Sequence, residues 1–405
     1  MKNVLIISRE FQHPNNACGV CLYNIALEFL KRGCNIYVVS LVSKMGVFQY
    51  DSHIHVVELY EDWFTTLCNQ ANSSSKKVVK TIYRIIQFLR LFLVSVITPD
   101  TAPFKTREIY RTAKKIVREC KIDTIVGSYT PYETISAPIL LKRWNTTLKV
   151  INYHLDPLLV PGNSSRLISL YKYKRAYSAV IKEVSIVDKI LVPETFYEIY
   201  PNCDNVIPVG FPLYKKNVGK EKLVYNFNSS FINIVYVGTL DSTNRNISYT
   251  LRLMDSLASM GLKVKLHIWG SLLDNETQEL VGNCRYAEFH GLIDSNLVPS
   301  ILANADILLN VCNLTHYSSL PSKIFQLFAS NKPILVIKRH DKDTSLPYFK
   351  IYGNVYFAEE ENWSEELLNN LRSFILQRNN DRTDERNSSS FLKYTPEYIC
   401  DQINI

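Results

Sequence analysis

The residues best suited to chemistry in this chain of 405 residues lie in one run, His316 to Lys338, HYSSLPSKIFQLFASNKPILVIK. Its pattern predicts a loop, a short helix opened by Pro321 and Ser322, a stop at Asn331-Lys332-Pro333, and a buried strand. Ser322 suits an N-cap, Lys323 follows it in the first turn, and Pro333 cannot continue a helix. Ile324, Phe325, Leu327 and Phe328 would hold that helix against a core. Its mouth would then present unpaired backbone N–H groups, a partial positive charge and a lysine, the composition of a phosphate site. The alternative is a helix that only packs on a sheet. A second candidate is His154-Leu155-Asp156-Pro157, a titratable pair just past the strand Lys149–Tyr153. His154 or Asp156 would accept a hydrogen bond from a substrate hydroxyl, or orient it. A capping or packing role for His154 is the alternative there.

Both candidates need a scaffold that brings strand ends together, and the chain supplies one. Val4–Ser8 is an apolar run of strand length. A polar loop follows to Cys21, then the helix-period segment LYNIALEFLKRG closes at Gly33, and Asn35–Leu41 is the next strand. This is the opening of a doubly wound parallel sheet, where ligands bind outside the carboxyl ends of the strands. The loop from Arg9 to Gly19 therefore faces a crevice. Further strands are expected at Asp123–Ser128, Asp188–Pro193 and Val206–Val209, with a linker over Gly210–Lys222. A second alternating set begins at Ile232–Leu240 and continues with a helix at Ile247–Met260 and strands at Val264–Gly270 and Ala287–Leu292. A helix at Asn296–Asn304 then leads into the run described first. Helices at Trp363–Gln377 and Pro396–Ile403 complete the pattern. The boundaries read are a first domain over 1–213, a second over 214–385, and a terminal segment over 386–405.

The run LPSKIFQLFASNKPILV resembles the donor-site segment of glycosyltransferase family 4. The order of elements resembles that family over nearly the whole chain, most specifically over Ile232–Lys338. The resemblance implies an α/β chain of GT-B architecture, two Rossmann-like domains facing across a cleft, with the donor in the second and the acceptor on the first. It implies transfer of a hexose-like sugar from a nucleotide-diphosphate sugar to a hydroxyl of a lipid-linked glycan, with retention and no obligatory metal or cofactor. On the donor side it points to Gly19 in the place of a glycine-rich turn, to Gly238 at the end of a strand, and to Arg245 as a diphosphate contact. Ser318, Pro321, Ser322, Lys323 and Gln326 complete that set. The family's two glutamates fall on Ser318 and Gln326, its usual glycine on Asn331, and an arginine on Thr239. Those replacements leave open a catalytically silent protein that binds a sugar nucleotide or partner. A sugar-nucleotide epimerase is a further alternative, although no clear carboxylate pair is present for it.

Composition narrows the field. Length argues for two domains, and 46% hydrophobic with 21% charged residues describes an ordinary globular chain able to build both cores. The formal charge of +8 is modest for this length and fits anionic small ligands or an anionic membrane surface. No zinc-finger or RNA-binding signature points to nucleic acid. Nine scattered cysteines behind a strand-like amino end suggest reduced thiols in a cytoplasmic protein. Cys18-Gly19-Val20-Cys21 admits a redox or metal reading, set against the absence of a second pair. Lys76–Ile97 is a basic amphipathic segment, interrupted by Lys80, Arg84 and Arg90, that suits peripheral contact with a membrane interface better than a span. A second basic helix from Arg166 would share that surface; two ordinary domain helices are the alternative. His340-Asp341-Lys342-Asp343 is read as a solvated loop after the last apolar strand.

Overall fold

The computed structural model describes residues 2–11, 17–42, 51–61, 78, 81–83, 85–86, 103–156, 158–159, 166–214, 225–294, 297–315, 320–377 and 389–404. The chain divides into two compact units, Met1–Pro212 with Pro396–Ile405, and Leu213–Thr395.

The first unit carries strands β1 (Asn3–Arg9), β2 (Asn35–Val42), β3 (Ile54–Tyr60), β4 (Thr124–Tyr129), β5 (Lys149–His154), β6 (Lys189–Pro193) and β7 (Val206–Val209). Among the described residues they form one parallel sheet in the order β3-β2-β1-β4-β5-β6-β7. Its helices are α1 (Ala17–Lys31), α2 (Pro103–Glu119), α3 (Glu133–Trp144), α4 (Arg166–Val184) and α5 (Glu194–Tyr197). Strands of a parallel sheet covered on both faces must be apolar along their whole length. Val4, Leu5, Ile6 and Ile7 of β1 are accordingly all removed from solvent. Gly33, at φ +79°, takes the left-handed position that ends α1.

The second unit repeats the plan with β8 (Ile232–Leu240), β9 (Val264–Leu272), β10 (Ala287–Gly291), β11 (Ile307–Val311), β12 (Ile334–Lys338) and β13 (Val355–Glu359). Their order is β10-β9-β8-β11-β12-β13, again parallel. The helices are α6 (Ser248–Ser259), α7 (Asn275–Gly282), α8 (Val298–Asn304), α9 (Ile324–Ala329), α10 (Leu346–Tyr352) and α11 (Glu365–Leu376). Each sheet therefore reverses its winding once, between β1 and β4 in one unit and between β8 and β11 in the other. That switch point is where an open α/β sheet leaves room for a ligand.

Two details of the second sheet shape its ligand end. Gly238 on β8 is in register with Gly270 on β9. A side-chain carbon at Gly270 (φ +132°) would fall 1.8 Å from the carbonyl oxygen of Gly238, so the two strand ends approach closely only without side chains. Beyond α9, Asn331 adopts φ +51°. That left-handed position explains why asparagine can replace a glycine there. The entering and leaving ends of this unit lie side by side, with the Tyr214 N–H donating to the Tyr394 carbonyl at 2.9 Å.

The last helix, α12 (Pro396–Ile403), belongs to the first unit and packs on α1. Arg32 reaches Asp401 at 2.7 Å, and the Lys189 ammonium donates to the Gln402 carbonyl at 2.5 Å. Of Lys76–Ile97, the described residues Val78, Thr81–Tyr83, Ile85 and Ile86 are helical, and the rest lies outside the described residues. Among the described residues no helix is long and apolar enough to cross a membrane.

Candidate functional site

The loop after β8 is tied down by its own side chains. Asp241 Oδ1 accepts from the Thr243 N–H at 3.0 Å, the Thr243 hydroxyl at 2.7 Å and the Asn244 N–H at 2.6 Å. Partial burial acts upward on this carboxyl, but the donors of Thr243, Asn244 and Arg245 together hold it below its ordinary range. Asn246 Oδ1 then accepts from the Ser248 N–H at 2.7 Å as α6 begins. The segment DSTNRN is thus a rigid turn that presents Arg245.

Asn244 and Arg245 bridge the switch point. Asn244 Oδ1 accepts from the Thr315 N–H and hydroxyl, both at 2.9 Å, and its carbonyl accepts from the Leu314 N–H at 2.9 Å. Asn313, just past β11, is buried; its Oδ1 accepts from Asn244 Nδ2 at 3.1 Å and from Arg245 Nε at 2.7 Å. A neutral amide therefore aims the guanidinium without cancelling its charge. Behind it lies Tyr236, whose phenol burial pushes upward against the pull of Arg245 and which donates to the Thr239 carbonyl at 2.9 Å. A side-chain carbon on Gly238 would sit 2.9 Å from that phenol oxygen, so Gly238 clears space for Tyr236.

Lys323 stands close enough for Arg245 to act on it. Loss of surrounding water, and then the like charge of Arg245, push its pKa down to about 8. The lysine nevertheless remains solvent-exposed. Among the described residues neither Lys323 nor Arg245 is ion-paired to a carboxylate. Beside the β8 loop a pocket of about 490 Å³ is lined by Leu314, the Lys338–Lys342 turn and Glu359–Glu361. Its charges pair internally, Lys338 with Asp341 and Glu359, and Arg339 with Glu360. The Arg339 guanidinium also donates to the Asn246 carbonyl at 2.6 Å, which fixes the pocket to the β8 loop.

Several expectations about this region need correction. Ser322 is not the N-cap of α9; Lys323 holds that position, in helical backbone geometry and without a side-chain cap. The mouth of α9 is also not a set of unpaired amides. Ile324, Phe325 and Gln326 donate to the carbonyls of Pro321, Ser322 and Lys323 at 3.2, 3.3 and 3.0 Å, a tight opening turn that consumes them. The positive character of the site therefore comes from side chains more than from the helix. The packing expectation holds. Phe325 stacks on Tyr394 at 3.8 Å and Phe328 on Phe391 at 4.7 Å, and both phenylalanines are fully buried. Burial of each is worth about 1.5–3 kcal/mol. Pro321, Ser322 and Gln326 are partly exposed around Lys323, and Ser318 lies outside the described residues. The DKD loop is not uniformly solvated: Asp341 pairs with Lys338, but Asp343 is buried and accepts from the Ser345 N–H at 2.8 Å. Nor is β12 the last strand, since β13 follows it.

In the first unit the switch point gathers Cys18, Thr130 and Asp156. Asp156 is exposed past the end of β5 and accepts from the Thr130 hydroxyl at 2.6 Å, with Cys18 Sγ at 3.7 Å. His154 is not beside it as a free base. Its ring is fully buried, with Nδ1 2.9 Å from the Tyr200 hydroxyl and Nε2 3.0 Å from Glu183 Oε1. With both nitrogens engaged by Tyr200 and Glu183, His154 ties the end of β5 to α4. Gly19 lies inside the first turn of α1, which starts at Ala17, so it is a buried helix residue and not part of a glycine turn. Burial, with Asp156 nearby, pushes both Cys18 and Cys21 thiols well up, which disfavours the thiolate at neutral pH. Asn313 was not among the sequence candidates, because its contact with Arg245 spans 68 residues.

No family model matches the chain, and no curated protein matches it. Solved structures do share its fold. One is a TarM mutant from S. aureus in complex with fondaparinux, alpha-GlcNAc-glycerol and UDP, at 12% identity, 100% of both chains and a TM-score of 0.56. Another is an alpha-glucosyltransferase in complex with UDP and a 13-mer DNA, at 13% identity, 100% of both chains and 0.55. A third is a putative UDP-N-acetylglucosamine 2-epimerase from Listeria monocytogenes, at 8% identity, 99% of this chain and 94% of the other, and 0.54. The chain has the two-domain Rossmann-like GT-B fold that these proteins share.

Proposed function

We propose that this chain is a glycosyltransferase that moves a hexose-like sugar from a nucleotide-diphosphate sugar to a hydroxyl of a lipid-linked glycan, with retention at the anomeric carbon. One observation carries the reading: Arg245 and Lys323 stand together after β8 and β11 with no carboxylate partner among the described residues. A nucleoside diphosphate gathers negative charge as it departs, and cations fixed in advance lower the cost of that charge. Each charge-assisted contact contributes about 1.5–3 kcal/mol. The adjoining pocket is of the size that takes a small ligand, and the nucleoside would enter it. UDP bound to TarM and to the alpha-glucosyltransferase supports this donor class. On the acceptor side, Asp156 orients the incoming hydroxyl. A membrane-bound acceptor suits the exposed Val78 and Ile82, at 70% and 50%.

Lys323→Ala and Arg245→Ala should each weaken donor affinity more than tenfold, roughly 1.4 kcal/mol, at unchanged fold by calorimetric titration. Unaltered affinity in both variants would sink the assignment. A second reading, a silent protein that binds a sugar nucleotide without turnover, is favoured by Gln326, whose amide lacks a carboxylate's charge. Labelled donor that binds but transfers no sugar to any membrane lipid acceptor would select it. Release of free nucleoside diphosphate only when an acceptor is present would exclude an epimerase.

A further inference from the structure

Away from the Arg245–Lys323 cluster, the outer strands of the second sheet carry an unusual set of side chains. Alternation along β9 puts Lys265, His267 and Trp269 on one face, and along β10 puts Glu288 and His290 on the same face. His267 is in register with Glu288, but the pairing slips between Phe289 and Gly291. That bulge leaves His290 as an extra residue and turns its ring onto its neighbours. His290 stacks on Trp269 at 4.2 Å and 14°, and its Nε2 comes 3.0 Å from His267 Nδ1.

The protonation of His267 follows from its other contact. Asn233 Nδ2 donates to the carbonyls of Asn228 and Phe231 and to Asp306, so its Oδ1 is the atom that faces His267 Nε2 at 3.1 Å. His267 must place its proton on Nε2, which leaves the Nδ1 lone pair directed at His290. A histidine that gives one N–H to an amide oxygen while its second nitrogen faces other ligand atoms has the orientation of a metal ligand. His267, His290 and Glu288 each offer one such atom within 4.8 Å of the other two.

We propose that His267, His290 and Glu288 bind a divalent transition-metal ion of the zinc class, tying the outermost strand β10 to β9. Two imidazoles and one carboxylate suit that class better than magnesium or calcium. Tetrahedral coordination at about 2.0–2.2 Å holds ligand atoms roughly 3.3 Å apart. The histidine nitrogens, 3.0 Å apart, are within a few tenths of an ångström of that spacing. Glu288, with 45% of its side chain exposed, is free to rotate inward. To do so it leaves Lys265, now 3.8 Å from Glu288 Oε2, and the Tyr225 hydroxyl at 3.5 Å, contacts that cost little at an exposed site. Phe227 and Tyr225 wall the cluster edge-on, with Phe227 5.0 Å from His267 and Tyr225 5.0 Å from His290.

The test is calorimetric titration of the full chain, stripped with a chelator, with zinc chloride, repeated with cobalt chloride while recording visible absorption. One ion per chain is expected, with cobalt bands of a four-coordinate site. His290→Ala should reduce affinity about 100-fold or more, and Glu288→Gln about tenfold or more. Nucleotide affinity should be unchanged in both. Failure of the wild-type chain to bind one equivalent overturns the proposal. So does zinc affinity unchanged in His290→Ala, the result expected if cysteines held the ion. If His290→Ala does not fold, Glu288→Gln decides, since it alters a half-exposed side chain.

Discussion

In the first unit His154 and Glu183 are sealed, each with a fully buried side chain, and Tyr200 closes the other side of the imidazole. In the second unit Lys323 stays exposed, Arg245 keeps partial contact with solvent, and a neutral asparagine is the partner that aims the arginine. The contrast separates two uses of charge. A buried pair joined through Glu183 Oε1, with both imidazole nitrogens engaged by protein, fixes a strand end and leaves the ring little to offer a substrate. Two like charges held near each other without an acid are unfavourable alone and become favourable when a ligand brings the counter-charge.

The sharpest test of the contrast is His154→Ala, which leaves the Glu183 carboxylate without its imidazole partner. We expect a loss of about 3–5 kcal/mol in the stability of the first unit, read by urea unfolding. Unchanged stability together with abolished transfer would return His154 to the reaction. Next in size, Asp156→Ala should lower turnover about 100-fold while donor affinity stays within about twofold. A matching loss of donor affinity would mean that Asp156 serves binding.

A smaller effect concerns pH. Lys323 carries its charge below a pKa of about 8, so donor affinity should hold at neutral pH and weaken as pH rises through that value. Lys323→Arg should flatten the decline, because a guanidinium keeps its charge. An unchanged profile in that variant would place the titrating group elsewhere. Least of all should follow from the thiols. Cys18 and Cys21, pushed upward by burial, should react with iodoacetamide far more slowly than a free cysteine, and Cys18→Ser should leave donor affinity unaltered.

Much of the fold was legible because parallel strands must be apolar throughout. Ile232–Leu240 and Pro396–Ile403 appear where the pattern places them. Edge strands gave less signal: Ile54–Tyr60 and Val355–Glu359 are only partly buried and escape a search for apolar runs. The start of α1 was misplaced because Cys-Gly-Val-Cys resembles a loop, although Gly19 is helical. At the site, lysine and arginine were visible as types at suitable places, but the asparagine that aims Arg245 was not. Ser322 and the α9 amides were misjudged for a local reason. A tight opening turn satisfies N–H groups with carbonyls three residues back, and residue types do not announce that geometry.

The hydrogen bond between Tyr214 and Tyr394 has a practical meaning for protein engineering. The stretch it brackets begins and finishes at one spot, so excision from Leu213 to Thr395 severs the chain at two neighbouring peptide bonds. Such a fragment would retain the aromatic stack around Phe325 and Phe328 and carry both Arg245 and Lys323. Expressing it alone tests whether nucleotide and metal affinities each reside within this unit.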